Sequence, residues 1–196
     1  PEDHSIERGN LRSCGKPIPG VEIKIVDEDK NEVPVGEVGE IITKSDLNMK
    51  GYWNNDKATS EAFNNSWFYS GDLGYLDKDG FLFIHDRLKD MIVSGGENIY
   101  PAEVENALMS NSLILDAAVV GIPDEKWGES TKAFVILKNE SDISEEEIIN
   151  YTKTKIASYK CPKSINFISE LPRNPSGKVL RRELRAPFWE GRDRGV

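Results

Sequence analysis

The first half of the chain alternates apolar and polar residues with a period of two. Val21, Ile23 and Ile25 are separated by charged residues, and residues 38–43 supply a second apolar segment after a polar stretch at 27–31. A period of two places apolar side chains on one face of an extended backbone. This half is therefore predicted to form half-buried strands joined by turns.

A β-hairpin is predicted near the end of this half. Tyr75 and Leu76 are followed by the polar segment 77–80, Asp-Lys-Asp-Gly, and then by the apolar residues 81–84. Polar residues ending in glycine between two apolar segments are typical of a hairpin turn. We expect two antiparallel strands here.

Helical and strand patterns alternate in the second half. Pro101 suits a first helical turn, and Val104, Ala107 and Leu108 supply one apolar face, so this segment is predicted to be a helix. The nearly continuous apolar runs at 117–122 and 133–137 predict buried strands.

Two further helices are predicted from their ends. Ser144 and Glu147 have the spacing of a capping box, and Ile143 and Ile148 have that of a hydrophobic staple, so a helix begins at this point. A last short helix runs from about residue 179 and must stop before the proline at 187. The charged tetrapeptide 87–90 separates the strand-rich half from the mixed half and is a candidate boundary or hinge.

Composition narrows the class of protein. The net charge of −9 argues against non-specific binding to nucleic acid, which needs a basic surface. No stretch approaches the roughly 20 apolar residues of a membrane-spanning helix. Cys14 and Cys161 are far apart and lack metal-binding spacing, so we expect a cytoplasmic protein, with peripheral membrane association left open. Because the sequence starts at Pro1 without a leader, we expect it to begin within a longer protein.

The first segment that suggests chemistry is 67–74, Trp-Phe-Tyr-Ser-Gly-Asp-Leu-Gly. Asp72 is predicted to lie on a glycine-flanked turn, where its carboxylate can accept two hydrogen bonds from a sugar diol. Ordinary turn chemistry also explains Ser-Gly-Asp, so both interpretations stay open at this point.

The second segment, 86–101, places alternating charges before a short apolar strand that ends in Gly95 and Gly96. A Gly-Gly turn lets the backbone lie against a narrow ligand chain without a clash from a Cβ atom. A plain strand–turn–helix connection accounts for the glycines but not for the charge cluster.

The third segment, 171–178, places Lys178 on a loop with two prolines and a glycine. A lysine held in this way can act as a point charge for a phosphate or carboxylate oxygen. Pro172 stands where a Walker loop needs glycine, and Val179 where it needs Ser or Thr, so this is not a Walker motif.

In their order and spacing these segments resemble the adenylate-forming enzymes, which include acyl-CoA synthetases, luciferases and peptide-synthetase adenylation domains. The resemblance extends over essentially the whole chain. It includes Gly-Lys-Pro-Ile-Pro-Gly-Val-Glu at 15–22, Gly-Glu-Val-Gly-Glu-Ile at 36–41 and Met-Lys-Gly-Tyr-Trp at 49–53.

The resemblance implies a role for several residues. Asp72 would bind the ribose hydroxyls of ATP and of the adenylate, and Arg87 would contact ribose or phosphate. Lys178 would bridge the carboxylate substrate and the α-phosphate, and Lys89 would be the hinge. The CoA side would be formed by Gly95 and Gly96 along the pantetheine tunnel, together with Trp127, Tyr159 and Lys160.

The fold that the resemblance implies is α+β. Residues 1–88 would be the end of the large AMP-binding domain, an antiparallel distorted β-barrel. Residues 89–196 would be a small, mobile, mixed α+β lid. The phosphate loop and the Mg²⁺ ligand would lie in an upstream domain, with no metal ligand in this chain, so we expect this fragment alone to be inactive.

The implied activity is that of an ATP-dependent acyl-CoA synthetase of the fatty acid type. Two alternatives stay open: an adenylation domain with a non-CoA acceptor, and a non-catalytic nucleotide-binding or interaction module. The ending at 188–196, with no carrier domain after it, resembles that of a free-standing synthetase.

Overall fold

The computed structural model describes residues 10–138 and 142–192, so the last four residues of the terminus compared with free-standing synthetases lie outside the described residues. The chain is a mixed α+β protein that divides into two compact units, Pro1–Leu88 and Lys89–Val196. Within the described ranges, no helix has both the length and the apolar character required to cross a membrane.

The first unit is built on one antiparallel sheet of five strands. Its strands are β1 (Glu22–Val26), β2 (Gly39–Lys44), β3 (Phe63–Asn64), β4 (Trp67–Leu76) and β5 (Leu82–Arg87). The order is β1-β2-β4-β3, and β5 pairs with β4. The short helix α1 (Asp56–Ala62) precedes β3.

The predicted strands and hairpin of this unit are confirmed. Ile25 on β1, Ile41 on β2 and Leu82 on β5 are buried together in its core. The β4–β5 turn is held by Asp77, whose carboxylate accepts hydrogen bonds from the amides of Asp79 and Phe81 at 2.9 and 2.8 Å. The polar turn therefore fixes the pairing of the two strands.

The second unit also has a five-stranded sheet, ordered β10-β9-β6-β7 with β8 paired to β9. Its strands are β6 (Ile92–Ser94), β7 (Glu97–Ile99), β8 (Ile114–Asp124), β9 (Gly128–Leu137) and β10 (Ser164–Phe167). Among the strands that the structure describes in this unit, only β9 and β10 pair in parallel, and the other pairs are antiparallel. The helices are α2 (Pro101–Met109), α3 (Glu145–Lys153) and α4 (Arg181–Arg185), with 3-10 turns at Leu88–Asp90 and Ala186–Phe188.

The apolar stretches 117–122 of β8 and 133–137 of β9 are covered on both faces, which explains their continuous apolar sequences. Val119 and Val135 pack on one face with the buried residues of α2 and α3. Val120 and Phe134 pack on the opposite face, against residues of the C-terminal segment such as Leu184. A strand that is buried on both faces has no position at which a polar side chain reaches water.

The predicted start of α3 is confirmed in detail. The Ser144 hydroxyl accepts a hydrogen bond from the Glu147 amide at 3.2 Å, and the Glu147 carboxylate accepts one from the Ser144 amide at 2.8 Å. The Ser144 hydroxyl also donates to the Glu147 carboxylate at 2.7 Å, and the two hydrogen bonds that this carboxylate accepts from Ser144 lower the pKa of Glu147. Ile148 is fully buried, and Ile143 packs against the same cluster.

Two details of the second unit differ from the prediction. The strand β7 lies between the Gly95-Gly96 turn and α2, so the glycines join two strands rather than a strand and a helix. The last helix begins at Arg181 rather than near Val179, because Val179 forms a β-bridge with Arg173. Both differences come from backbone pairing between segments, which side-chain periodicity does not encode.

The apolar face of α2 gives a test of the second core. Leu108 is fully buried, whereas the adjacent Met109 is 49% exposed. Leu108→Ala should lower the free energy of unfolding by about 2–5 kcal/mol, because it leaves a cavity under the sheet. Urea unfolding followed by circular dichroism measures the change. Met109→Ala is the matched control, and an equal loss in both variants would contradict this packing.

Candidate functional site

Asp72 lies on a bulge within β4, not on a turn between elements, which corrects the sequence-based expectation. Glu40 of β2 pairs with Leu73 and Ile42 pairs with Tyr69, so β4 carries extra residues between these two positions. Gly71, within this bulge, has a φ of 71°. An added residue in one strand bends it locally and redirects the side chains, and glycine tolerates this backbone conformation.

Two side chains fix the bulge. The Glu40 carboxylate accepts a hydrogen bond from the Gly71 amide at 2.9 Å. The Ser70 hydroxyl donates to the Ile41 carbonyl at 2.7 Å and accepts from the Asp72 amide at 3.1 Å. Sequence reasoning gave no role to Glu40, since only the strand register, which pairs it with Leu73, brings its carboxylate within reach of the Gly71 amide.

Asp72 and Arg87 are brought together by the pairing of β4 with β5. They are register partners, and the distance from Arg87 Nε to Asp72 Oδ1 is 3.4 Å. Their side chains are 38% and 43% exposed, respectively. An exposed pair of this kind adds little to stability. Its chemistry is that of an accessible carboxylate acceptor beside a guanidinium donor, which fits a sugar diol next to a phosphate.

Gly95 and Gly96 form the two-residue turn between β6 and β7, with φ values of 62° and 85°. The Gly95 amide donates to the Trp127 carbonyl at 2.9 Å. A Cβ atom on Gly95 would lie only 2.7 Å from the Trp127 ring, whereas one on Gly96 would meet nothing within 4 Å. The structure therefore brings Gly95 and Trp127 together and leaves backbone and indole exposed side by side.

Lys160 is paired with a residue of α2 rather than with Gly95 or Trp127. The Lys160 ammonium forms an ion pair with Glu103 of α2 at 2.8 Å. Burial opposes the charged form of Lys160, but the hydrogen bond and charge of Glu103 outweigh it, and the pKa is raised. Tyr159 is 46% exposed. Across the described ranges, no hydrogen bond or ion pair joins Lys160 to Gly95 or Trp127.

Lys178 lies on an ordered loop whose central member is Asn174. The Asn174 side-chain oxygen accepts hydrogen bonds from the Ser176 amide at 3.1 Å, the Ser176 hydroxyl at 2.8 Å and the Lys178 amide at 2.8 Å. The Asn174 amide donates to the Lys178 carbonyl at 2.9 Å. From the sequence, the rigidity of this loop was expected to come from its two prolines and its glycine. The Asn-Pro pair was the signal that could have indicated this side-chain turn.

Two features define the electrostatics of this loop. Arg173 donates to the Gly177 carbonyl and pairs with Asp116 of β8 at 2.5 Å, which ties the loop to the sheet. Lys178 itself is exposed, and no carboxylate of residues 10–138 or 142–192 forms an ion pair with it. The loop thus presents an unneutralised cation on a fixed backbone.

Lys89, the predicted hinge, lies in the 3-10 turn Leu88–Asp90, and the division between the two units falls immediately before it. Its carbonyl accepts a hydrogen bond from Arg185 at 3.3 Å.

In the described part of the chain, no group of three or more His, Cys, Asp or Glu residues could hold a metal ion.

Comparison with known proteins identifies the family. Residues 3–53 match the sequence model described as AMP-binding enzyme, and residues 103–178 match that of the AMP-binding enzyme C-terminal domain. The chain belongs to this family of AMP-binding, adenylate-forming enzymes.

Particular relatives differ in substrate and acceptor. The chain is 44% identical to a fatty acid–[acyl-carrier-protein] ligase of Streptomyces coeruleorubidus, over 91% of this chain and 34% of the relative. It is 48% identical to a long-chain-fatty-acid–CoA ligase of Mycobacterium tuberculosis, over 76% and 30%. The o-succinylbenzoate CoA synthetase of Bacillus subtilis, solved with its acyl-adenylate intermediate, matches with a TM-score of 0.83 and 43% identity, over 91% and 36%. The chain therefore spans about a third of the length of these relatives.

The Glu40 carboxyl gives a pH-dependent test of the bulge. Burial raises its pKa, and repulsion from Asp72 adds to this, while the Gly71 amide and Lys30 lower it; the net shift is upward. The folded protein therefore binds a proton at Glu40 more tightly than the unfolded chain does. The contribution of Glu40 to the free energy of unfolding grows as the pH falls through the folded-state pKa, and it is lost as the pH rises through that pKa. Relative to Glu40→Gln, the unsubstituted chain should gain unfolding free energy on acidification.

Urea unfolding at a series of pH values measures this difference. The exposed Glu37 supplies the matched variant, Glu37→Gln, on the turn that precedes β2. An equal pH-dependent difference for both variants would rule out the partly buried position of Glu40 as its cause.

Proposed function

We propose that the protein containing this chain is an ATP-dependent acid–thiol ligase. A carboxylic acid attacks the α-phosphate of ATP to give an acyl-adenylate and pyrophosphate, and a thiol then displaces AMP to give the thioester. The observation that carries the proposal is the Lys178 loop, a fixed and unneutralised cation in a chain of this family. The structure supports this role by ordering the loop through Asn174.

The first half-reaction brings two anions together. A fixed cation where the carboxylate meets the α-phosphate stabilises the transition state more than the separated substrates. We assign this charge to Lys178. We assign the ribose hydroxyls to Asp72, whose carboxylate accepts from a diol, and a ribose or phosphate contact to Arg87. Their pairing on adjacent strands supports the assignment. Mg²⁺ would be held by residues outside this fragment.

The second half-reaction needs a path for the thiol with no lysine in it. We infer that the second unit, as a mobile lid, turns about Lys89 and exchanges the Lys178 loop for the face formed by Gly95, Gly96 and Trp127. The exposed backbone at the two glycines supports this, since it accommodates a narrow pantetheine chain. Tyr159 and Lys160 are a second candidate contact for CoA. The Lys160 ammonium is already paired with Glu103, so a CoA phosphate would compete with that carboxylate for it.

Within this class we propose a fatty-acid–CoA ligase acting in the cytoplasm. The Mycobacterium tuberculosis relative supports it, and the free state of both cysteines fits a reducing compartment. The Streptomyces relative, named for an acyl-carrier-protein acceptor, favours a second candidate with the same first half-reaction. Assaying the full-length protein with a fatty acid and ATP, and with CoA or holo-acyl carrier protein as acceptor, separates the two.

A non-catalytic nucleotide-binding or interaction module is the alternative from another class. A nucleotide-binding module can also use such a cation to hold a phosphate, so the activity assay decides between the two classes. If the full-length protein fails to exchange pyrophosphate into ATP with every carboxylic acid that is tested, the module is favoured and the ligase proposal fails.

The charge of Lys178 is tested by Lys178→Ala in the full-length protein. Adenylation should fall roughly 10²–10³-fold, the scale for removing one electrostatic stabiliser. Acid-dependent exchange of pyrophosphate into ATP measures this half. Transfer from preformed acyl-adenylate to the thiol should change much less. The exposed Lys138 gives the control Lys138→Ala. Equal losses in both halves would refute the assignment.

The hinge is tested by Lys89→Pro. Proline fixes φ and should hinder the rotation, so adenylation is spared while thioester formation slows. Single-turnover assays of each half-reaction make the comparison, with Lys89→Ala as the control that keeps backbone freedom. Normal thioester formation by the proline variant would exclude Lys89 as the pivot.

A further inference from the structure

Four charged side chains of the second unit form a cluster that the proposed mechanism does not use. Arg181 of α4 donates three hydrogen bonds to the Glu105 carboxylate of α2, from Nη2 at 2.7 and 2.8 Å and from Nε at 3.2 Å. Asp90 lies 3.8 Å from Arg181 and 3.6 Å from Arg185. The cluster joins three segments that are distant in sequence.

The cluster is shielded from water. The side chains of Arg181, Glu105 and Asp90 are 22%, 14% and 10% exposed. Glu105 also accepts a hydrogen bond from the Val119 amide at 2.8 Å, which anchors it to β8. Two-pronged arginine–carboxylate pairs are directional and stronger than neutral hydrogen bonds. At this burial, screening by solvent is weaker than at an exposed pair. The position of Arg181 is thus tightly defined.

The place of the cluster in the chain connects the hinge with the lysine loop. Asp90 directly follows Lys89, and Arg185 donates to the Lys89 carbonyl at 3.3 Å. Arg181 lies three residues after Lys178. Asp90 and Arg181 therefore join the predicted pivot to the segment that carries the proposed adenylation lysine.

The other end of the loop is fixed separately, by the pairing of Arg173 with Asp116. The loop is thus held at both ends, with Lys178 between the two anchors. Loss of the Arg181 anchor would leave the ammonium present but free to shift by an ångström or more. A shift of that size at a reacting centre costs up to roughly 10²-fold in rate.

We propose that Arg181 is a positioning residue for adenylation, acting through Lys178 by fastening its loop to Glu105 and to the hinge-side Asp90. The inference rests on the proposed function. It assigns Arg181 no contact with substrate. Its neighbour Arg182 is exposed on the same helix and serves as the matched control.

The test uses the full-length protein and follows each half-reaction separately. Arg181→Gln should lower acid-dependent exchange of pyrophosphate into ATP by roughly 10–100-fold, while transfer of the acyl group from preformed adenylate changes much less. Arg181→Lys, which keeps the charge but loses the two-pronged geometry, should give an intermediate rate. Arg182→Gln should match the unsubstituted protein. Thermal unfolding verifies that each variant is folded, and Asp90→Asn replaces Arg181→Gln if the latter is unfolded.

A double-mutant comparison decides whether Arg181 acts through the lysine. In the Lys178→Ala background, Arg181→Gln should cause little further loss of adenylation, because its target is gone. Full additivity, or equal losses in both half-reactions, would overturn the inference. If Lys178→Ala impairs adenylation while Arg181→Gln and Asp90→Asn do not, only the inference fails. If none of these variants impairs adenylation, the proposed function fails with it.

Discussion

The pairing of β8 with β9 is the constraint on which the second unit depends. Because both faces of these strands are covered, α2 and α3 are held on one side and the C-terminal segment on the other. The segment that carries Lys178 reaches the sheet through Arg173, which pairs with Asp116 of β8. A buried sheet therefore sets where an exposed lysine lies.

Asp72 and Lys178 are positioned by different local structures that are stabilised in the same physical way. Asp72 is placed by a strand bulge that Glu40 and Ser70 stabilise, and Lys178 by a side-chain turn about Asn174. In both cases a polar side chain accepts hydrogen bonds from backbone amides that the irregular backbone leaves without a main-chain acceptor. The charged groups themselves remain accessible, so structural and chemical roles fall on different residues.

Much of the fold could be predicted from the chain, because periodicity and helix caps are local properties. The capping box at Ser144 and the continuous apolar strand at 117–122 both appear as expected. The strand β7 and the late start of α4 were missed. Each depends on a backbone partner across a short turn or loop, which the periodicity of apolar side chains does not encode. Gly95-Gly96, a pair typical of two-residue hairpin turns, was the signal that could have indicated β7.

The sequence by itself determined the α+β class, the candidate residues Asp72 and Lys178, and the family to which the chain belongs. The pattern of apolar residues is local and indicates the class, whereas the family and the roles of the candidate residues follow from the resemblance of the motifs to a known family. Only the tertiary structure decided that Asp72 lies on a bulge supported by Glu40, and that Arg181 binds Glu105 beside Asp90. Strand register and packing create such contacts between distant segments, and register is a property of paired strands rather than of either strand alone.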